Sequence, residues 1–245
     1  MRDRHSLLDS ITNAFVPIHR DGYRFLFAFG LATLVLFLLA PPLGWLGAIA
    51  TAWCAYFFRD PDRVTPGREG IVVSAGDGKI VGAAGAVSPR ELELGTETRT
   101  RISVFLSIFD VHIVRAPVGG RIVRSHYMPG AFLNAELDKA SEENERRALV
   151  IETDTGDKVG VMLIAGLIAR RIVTFVDEGA SVARGERIGL IRFGSRVDVY
   201  LPAGASVLVA AGQTAIGGET LLAELARTGD VRQSGAAVQS ELMKG

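Results

Sequence analysis

The amino-acid sequence predicts a mainly β domain carried behind an N-terminal pair of apolar helices. An uncharged stretch of 34 residues, Phe25 to Phe58, is interrupted at Pro41-Pro42 and predicts the helices. Two later runs alternate apolar and polar residues with the period of two that marks half-buried strands. Four phrases couple a glycine turn to a β-branched run: SAGDGKIVGAAG at 74–85, APVGGRIVRSHYMPG at 116–130, DEGASVARGERIGLI at 177–191 and PAGASVLVAAGQTAIGG at 202–218.

Pro41-Pro42 and Gly44 split the apolar stretch into two runs of 16 residues. Each makes about 24 Å of helix at ~1.5 Å per residue. That is somewhat short for a hydrocarbon core of ~30 Å, so a thin spanning hairpin and a deeply inserted monotopic hairpin both fit. Arg20 and Arg24 precede the stretch, and Arg59 and Arg63 follow it. The positive-inside tendency therefore places both ends, and everything downstream, on the cytoplasmic side of the cell membrane. A helix pair buried in a soluble core fits worse, because uncharged runs this long are rare there. A cleaved signal fits worse still, because the run starts late and a second one follows.

The expected organisation is an N-terminal cytoplasmic segment at 1–24, a membrane hairpin at 25–58 and a linker at 59–69. A β-rich domain at 70–229 and a flexible tail at 230–245 follow. The linker phrase RDPDRVTPGRE mixes charge with prolines and a glycine. In the β-rich domain Ile102, Val104, Leu106 and Ile108 alternate with Ser103, Phe105, Ser107 and Phe109. Val197, Val199 and Leu201 alternate in the same way with Arg196, Asp198 and Tyr200. Short strands folding back at glycine corners give the rhythm of a barrel-sandwich hybrid. The polar segment Asn134 to Leu149 is the best helix candidate of this domain, and Gly218 to Arg227 a candidate for a last short helix. The small, polar tail after Gly229 is expected to be disordered.

Lys plus Arg and Asp plus Glu number 27 each, so no global field favours nucleic acid, and no basic stripe interleaves with aromatics. The single cysteine, Cys54, rules out an internal disulfide. With four histidines in the chain, no metal site is expected.

Two strand-like runs meet at Gly194-Ser195 within IGLIRFGSRVDVYLP, and a glycine inside a strand pattern marks a bulge or a close backbone approach. A glycine carbonyl is also sterically open to the hydroxyl of a following serine. An N-to-O acyl shift there gives an ester, and elimination from the ester leaves dehydroalanine. Hydrolysis with loss of ammonia then converts residue 195 into an N-terminal pyruvoyl group. Gly-Ser pairs usually occupy ordinary turns, so the pair alone predicts nothing of the kind.

Several longer phrases supply the context: FFRDPDR at 57–63, SAGDGKI, ISVFLSIFDVHIVRAPVGG at 102–120, MPGAFLNAELDKASEENER at 128–146, IAGLIARRIV at 164–173 and RIGLIRFGSRVDVYLP at 187–202. Across nearly the whole chain they resemble the short, archaeal-type proenzyme form of phosphatidylserine decarboxylase. The resemblance implies self-cleavage between Gly194 and Ser195 into chains 1–194 and 195–245 that stay associated. It further implies a covalent pyruvoyl group from Ser195 as the only cofactor, forming a Schiff base with phosphatidylserine in the membrane. Such a group supplies the electron sink that decarboxylation of an amino acid requires. Homo-oligomerisation is left open.

Within that scheme His112 is the candidate for assisting Ser195 during cleavage or reprotonating the α-carbon; an isolated histidine is otherwise a hydrogen-bonded structural residue. Asp77, in the turn AGDGK, resembles the family's acid that orients the histidine, and read alone it is an Asp-Gly turn residue. Longer bacterial relatives carry a second histidine where this chain has Arg115, so both histidine roles fall to His112. Short relatives often carry asparagine at the position of Val114. Arg115, Lys139, Arg170 and Arg171 are the candidates for the lipid phosphate, although each is also an ordinary surface cation. The rival readings are a membrane-anchored adaptor that does no chemistry, a biotinyl or lipoyl carrier, and a pyruvoyl decarboxylase of a soluble amino acid. The adaptor predicts an intact chain. A carrier needs a lysine at a hairpin tip where this chain has Gly-Ala-Ser, and the last has no use for an anchor.

Overall fold

The computed structural model describes residues 16–130, 144–166, 171–192 and 194–226. The chain divides into two compact units, Met1–Asp62 and Arg63–Gly245. The boundary falls inside the segment 59–69: beyond it Arg63 pairs with Asp77, and the Pro66 carbonyl accepts from Arg184 within the second unit.

In the first unit the apolar stretch forms a helical hairpin of α1, Tyr23–Leu39, and α2, Pro41–Phe57. Proline explains the break. Residues before proline avoid helical backbone, and Ala40 is extended at φ −161° and ψ 123°. Pro41 then opens α2, where its missing N–H has no partner to lose. Small residues bring the two helices together: a Cβ on Gly47 would lie 2.8 Å from Thr33 Oγ1, and the Thr33 and Thr51 hydroxyls meet at 2.9 Å. Helix α1 buries none of its residues, and Phe27 and Leu38 are 75% and 81% exposed, the reverse of a soluble core helix. The helical segment Arg20–Leu39 is long and apolar enough to cross a membrane.

The second unit is built from β1 (Ile71–Val73), β2 (Gly78–Val87), β3 (Thr98–Leu106), β4 (Ile113–Arg115), β5 (Gly120–Met128), β6 (Arg146–Glu152) and β7 (Lys158–Ala165). It continues with β8 (Ile172–Thr174), β9 (Ser181–Val182), β10 (Arg187–Ile191), β11 (Ser195–Tyr200), β12 (Ser206–Val207), β13 (Thr214–Ala215) and β14 (Leu221–Glu224). Eight strands in the order β13-β2-β3-β11-β7-β6-β5-β9 form one curled, barrel-like sheet, flanked by the three-stranded sheets β4-β10-β8 and β1-β14-β12. This is the mainly β, barrel-sandwich type of domain that the glycine-turn rhythm predicts.

The alternating runs become β3 and β11, neighbours in register from Leu106↔Ser195 to Arg101↔Tyr200. Ile102, Val104, Leu106, Val161, Leu163, Val197 and Val199 pack into the main core. Strand β3 stops at Leu106, so Ile108 and Phe109 lie in the turn beyond it rather than on the strand. The alternate face of β11 is not solvated: Arg196, Asp198 and Tyr200 are buried as well. Leu92, Leu94, Met162 and Ile164 cover that face in a second apolar cluster with Tyr200.

Two helix expectations are corrected. Of the segment Asn134 to Leu149, the part from Arg146 to Leu149 is strand β6, held between β5 and β7, because Ala148 to Ile151 is a buried apolar run that needs strand partners on both sides. Residues 134–143 lie outside the described residues. The segment after Gly218 is not helical either: Leu221–Glu224 is β14, paired with β1 and β12 so that Leu222 and Ala223 enter the core. The tail after Gly229 also lies outside the described residues.

Candidate active site

Strand β11 runs through the middle of the large sheet, and Ser195 is its first residue, opposite Leu106 of β3 and Ala165 of β7. Ser195 is fully buried, and its Oγ has no hydrogen-bond partner among the described residues. A buried hydroxyl left unpaired costs about 1–3 kcal/mol, so its persistence calls for an explanation in chemistry.

The residue before it leaves the strand. Gly194 has φ +69°, in the left-handed region that a residue with a Cβ enters at a cost. Space is not what selects glycine here, since a Cβ would meet nothing closer than Ile108 Cγ2 at 3.8 Å. The backbone turn has a chemical consequence. Continuing the register, Gly194 stands opposite Gly166, where a regular antiparallel rung would exchange two N–H to carbonyl bonds. One half survives, as the Gly166 N–H donates to the Gly194 carbonyl at 3.0 Å. The other half is diverted: the Gly194 N–H donates to His112 Nε2, also at 3.0 Å.

His112 is placed by a tight turn before β4. The Asp110 carboxylate accepts from the Ser107 N–H at 2.8 Å and from the Ser107 hydroxyl at 2.7 Å, closing the turn. The Asp110 carbonyl lies 3.0 Å from His112 Nδ1. A carbonyl can only accept and an amide N–H can only donate, so the two contacts specify the neutral tautomer with hydrogen on Nδ1 and a lone pair on Nε2. His112 is fully buried, and its own carbonyl accepts from the Ile191 N–H, tying the ring to the strand that leads into Gly194.

The other expected site residues lie at varied depths. Asp77, in the turn between β1 and β2, accepts from the Arg63 guanidinium at 2.5 Å and from the Gly217 N–H at 2.9 Å. The same turn reaches β4, because the Arg115 N–H donates to the Ala75 carbonyl at 2.8 Å. Arg115 itself is buried, and its Nη1 donates to the Gly185 carbonyl at 2.9 Å. Arg171 is exposed, and its carbonyl accepts from the Arg192 N–H two residues before Gly194. Lys139 and Arg170 lie outside the described residues.

Several participants carry no sequence signal of their own. Gly166 acts through its backbone. Asn144, 1% exposed, donates through Nδ2 to the Ala165 carbonyl at 2.7 Å, and the Glu145 carbonyl accepts from the Ala165 N–H at 2.9 Å. Asp110 is the exception: Ser107 and Asp110 are spaced as a side-chain-capped turn, and that pattern is readable in FLSIFD.

The constellation is a buried serine hydroxyl, a hydrogen-bonded carbonyl on the preceding residue and a neutral imidazole that accepts from that same residue's N–H. Residues 50–223 match the family model described as phosphatidylserine decarboxylase. The chain is 58% identical over 219 residues to a protein of Nitrobacter winogradskyi named phosphatidylserine decarboxylase proenzyme, covering 89% of each chain. The chain belongs to the phosphatidylserine decarboxylase family and is an enzyme of that class.

Proposed function

We propose that the chain cleaves itself between Gly194 and Ser195 and that residue 195, converted to a pyruvoyl group, decarboxylates phosphatidylserine to phosphatidylethanolamine. The observation that carries this is the Gly194-Ser195 junction, where a buried hydroxyl without a partner among the described residues follows a glycine whose own N–H donates to His112. His112 Nε2 exchanges the Gly194 N–H for the Ser195 hydroxyl and takes its proton as Oγ bonds to the Gly194 carbonyl carbon. Returning that proton to the Ser195 nitrogen lets the carbon–nitrogen bond break, leaving an ester. Elimination then frees the Gly194 carboxylate, and water displaces ammonia from the dehydroalanine left at 195.

The pyruvoyl group supplies an electron sink conjugated to the substrate α-carbon once the lipid amine has condensed with it. The protein's part is to hold that end rigidly in a water-poor site and to deliver a proton. Residue 195 opens a strand fixed on both sides by β3 and β7, among Leu106 and Ala165, and His112 is the titratable group at hand. The two cleavage chains are proposed to stay together. β11 bonds to β3 and β7, β13 to β2 and β14 to β1, so the second chain contributes strands to two sheets. The apolar hairpin, flanked by Arg20, Arg24, Arg59 and Arg63, is proposed to hold the enzyme to the cytoplasmic leaflet where its lipid substrate lies. Asp77 is proposed to support His112 during cleavage, and Arg115, Lys139, Arg170 and Arg171 to supply the cation for the phosphodiester.

Intact-mass spectrometry of purified protein tests cleavage directly: a fragment of about 5 kDa, residues 195–245, is expected, with a blocked, ketone-bearing first residue. An unbroken, active 245-residue chain would refute the proposal. Carbon dioxide release from phosphatidylserine vesicles, compared with free serine, tests the substrate, and release from serine alone would remove the lipid.

A further inference from the structure

We infer that the Gly166 N–H is the oxyanion donor of the self-cleavage step, and that buried Asn144 is the residue that positions it. The inference rests on the self-cleavage proposed above and assigns a specific part of the machinery to it. When Oγ attacks, the Gly194 carbonyl oxygen takes the electron pair of its π bond and becomes an alkoxide in an apolar interior. Without a donor, a charge so placed is costly. The Gly166 N–H already sits 3.0 Å from that oxygen, inside the range of effective oxyanion donors, and the oxygen moves little as carbon becomes tetrahedral.

The arrangement of the rung singles out this bond. Of the two bonds a regular Gly194/Gly166 rung would make, the left-handed turn at Gly194 gives up the one from its own N–H and keeps the one to its carbonyl. The peptide that is cut thus has its carbonyl held by β7. Trans geometry turns its N–H the opposite way, toward Leu106 of β3. The attacked carbon is fixed between two strands, with the donor on one side and the leaving nitrogen on the other.

The donor stands one residue past the end of β7, so something must hold it. Ala165, the last strand residue, is clamped at both backbone groups: its carbonyl by Asn144 Nδ2 at 2.7 Å, and its N–H by the Glu145 carbonyl at 2.9 Å. Glu145 is anchored in turn, because its Oε1 accepts from the Ile172 N–H at 3.1 Å. The Ala165 carbonyl belongs to the peptide whose N–H is the Gly166 donor. Asn144 therefore orients that peptide plane and, by accepting density from its carbonyl, makes the N–H a stronger donor. After cleavage the same N–H faces the new Gly194 carboxylate and helps keep the first chain's end in place.

The test compares Gly166→Pro, which deletes the donor, with Gly166→Ala, which keeps it, and Asn144→Ala with Asn144→Gln. The readout is the time course of the 195–245 fragment after synthesis, with hydroxylamine added to cut any ester that has formed. Folding is checked by thermal melting of each variant in an uncleavable Ser195→Ala background. Gly166→Pro is expected to cleave on the order of 100-fold more slowly than Gly166→Ala, without accumulating hydroxylamine-sensitive ester, since the acyl shift itself is slowed. Asn144→Ala is expected to slow the shift less, with partial rescue by Gln. A cooperatively melting Gly166→Pro that matches Gly166→Ala in rate, or that builds up ester at the wild-type rate, overturns the inference. If the proline variant does not melt cooperatively, Asn144→Ala decides, and cleavage at the wild-type rate overturns the positioning role. Failure of the unmodified protein to cleave would instead strike the self-cleavage reading itself.

Discussion

The two faces of β11 bury polar groups in opposite ways. On the core face Ser195 brings in a hydroxyl that finds no partner among the described residues, beside Val197 and Val199. On the other face Arg196 and Asp198 enter equally deeply but as a pair: Arg196 Nη2 donates to Asp198 Oδ2 at 2.9 Å, and the Nε–Oδ1 contact, also 2.9 Å, is electrostatic. One strand thus carries a polar pair that is compensated on one face and, on the other, the hydroxyl proposed to react, which is not compensated among the described residues. A buried charge without its partner would cost several kcal/mol, whereas an unpaired hydroxyl costs far less and stays available as a nucleophile.

The contrast is broken most completely by Ser195→Ala. Cleavage and decarboxylation are expected to vanish, yet the proenzyme should melt no lower than an uncleaved reference, because the change removes an unsatisfied oxygen and almost no volume. A gel of fresh protein and a thermal melt check both parts. A drop of several degrees would mean that the hydroxyl was structural after all. Next in size, His112→Ala is expected to slow fragment formation by about 100-fold or more, in line with loss of a general base. Ordinary cleavage together with ordinary turnover would return His112 to a purely structural role.

On the opposite face Asp198→Ala is expected to destabilise the fold by about 3–5 kcal/mol, because Arg196 would be left buried without its counter-charge. The double change Arg196→Met with Asp198→Leu should recover most of that loss and leave cleavage running. Denaturant titration of the single and double variants in the Ser195→Ala background gives the comparison. A double variant as unstable as the single would show that the pair does more than neutralise itself.

How much of this was legible in the sequence varies with how local the cause is. The hairpin was readable because an uncharged run and a Pro-Pro break act within a few residues. The Gly194-Ser195 junction and His112 could be singled out as candidates because each lies in a phrase with a long, specific context. Strand β6 was not, since Arg146 and Arg147 continue a polar run and only pairing with β5 and β7 decides its state. Strand β14 was missed for the same reason, its partners lying far away in sequence. The alternation in β11 marked Arg196, Asp198 and Tyr200 as one face, but that they are buried depends on Leu92, Leu94 and Met162, which come from elsewhere in the chain. The Gly166 N–H and the Ala165 carbonyl that Asn144 Nδ2 bonds are backbone groups, whose placement residue type does not announce.

The smallest expected effect is a titration on the paired face. The Tyr200 hydroxyl is pushed up to about 12, chiefly by burial and then by the Asp198 carboxylate, with the Arg101 and Arg196 guanidiniums pulling the other way. In an unfolded chain a tyrosine titrates near ~10. Between those values the folded protein keeps a proton that the unfolded chain has released, so the stabilisation is fully present below about pH 10 and is lost as pH rises toward about 12. The shift corresponds to roughly 2–3 kcal/mol. Because other groups also titrate there, the informative quantity is a difference: Tyr200→Phe in the Ser195→Ala background should lose less stability than its parent between roughly pH 9 and pH 11.5 in denaturant titrations. Equal alkaline losses in the two would mean that the phenol is not held neutral by its burial, and that the second face of β11 is wetter than its packing implies.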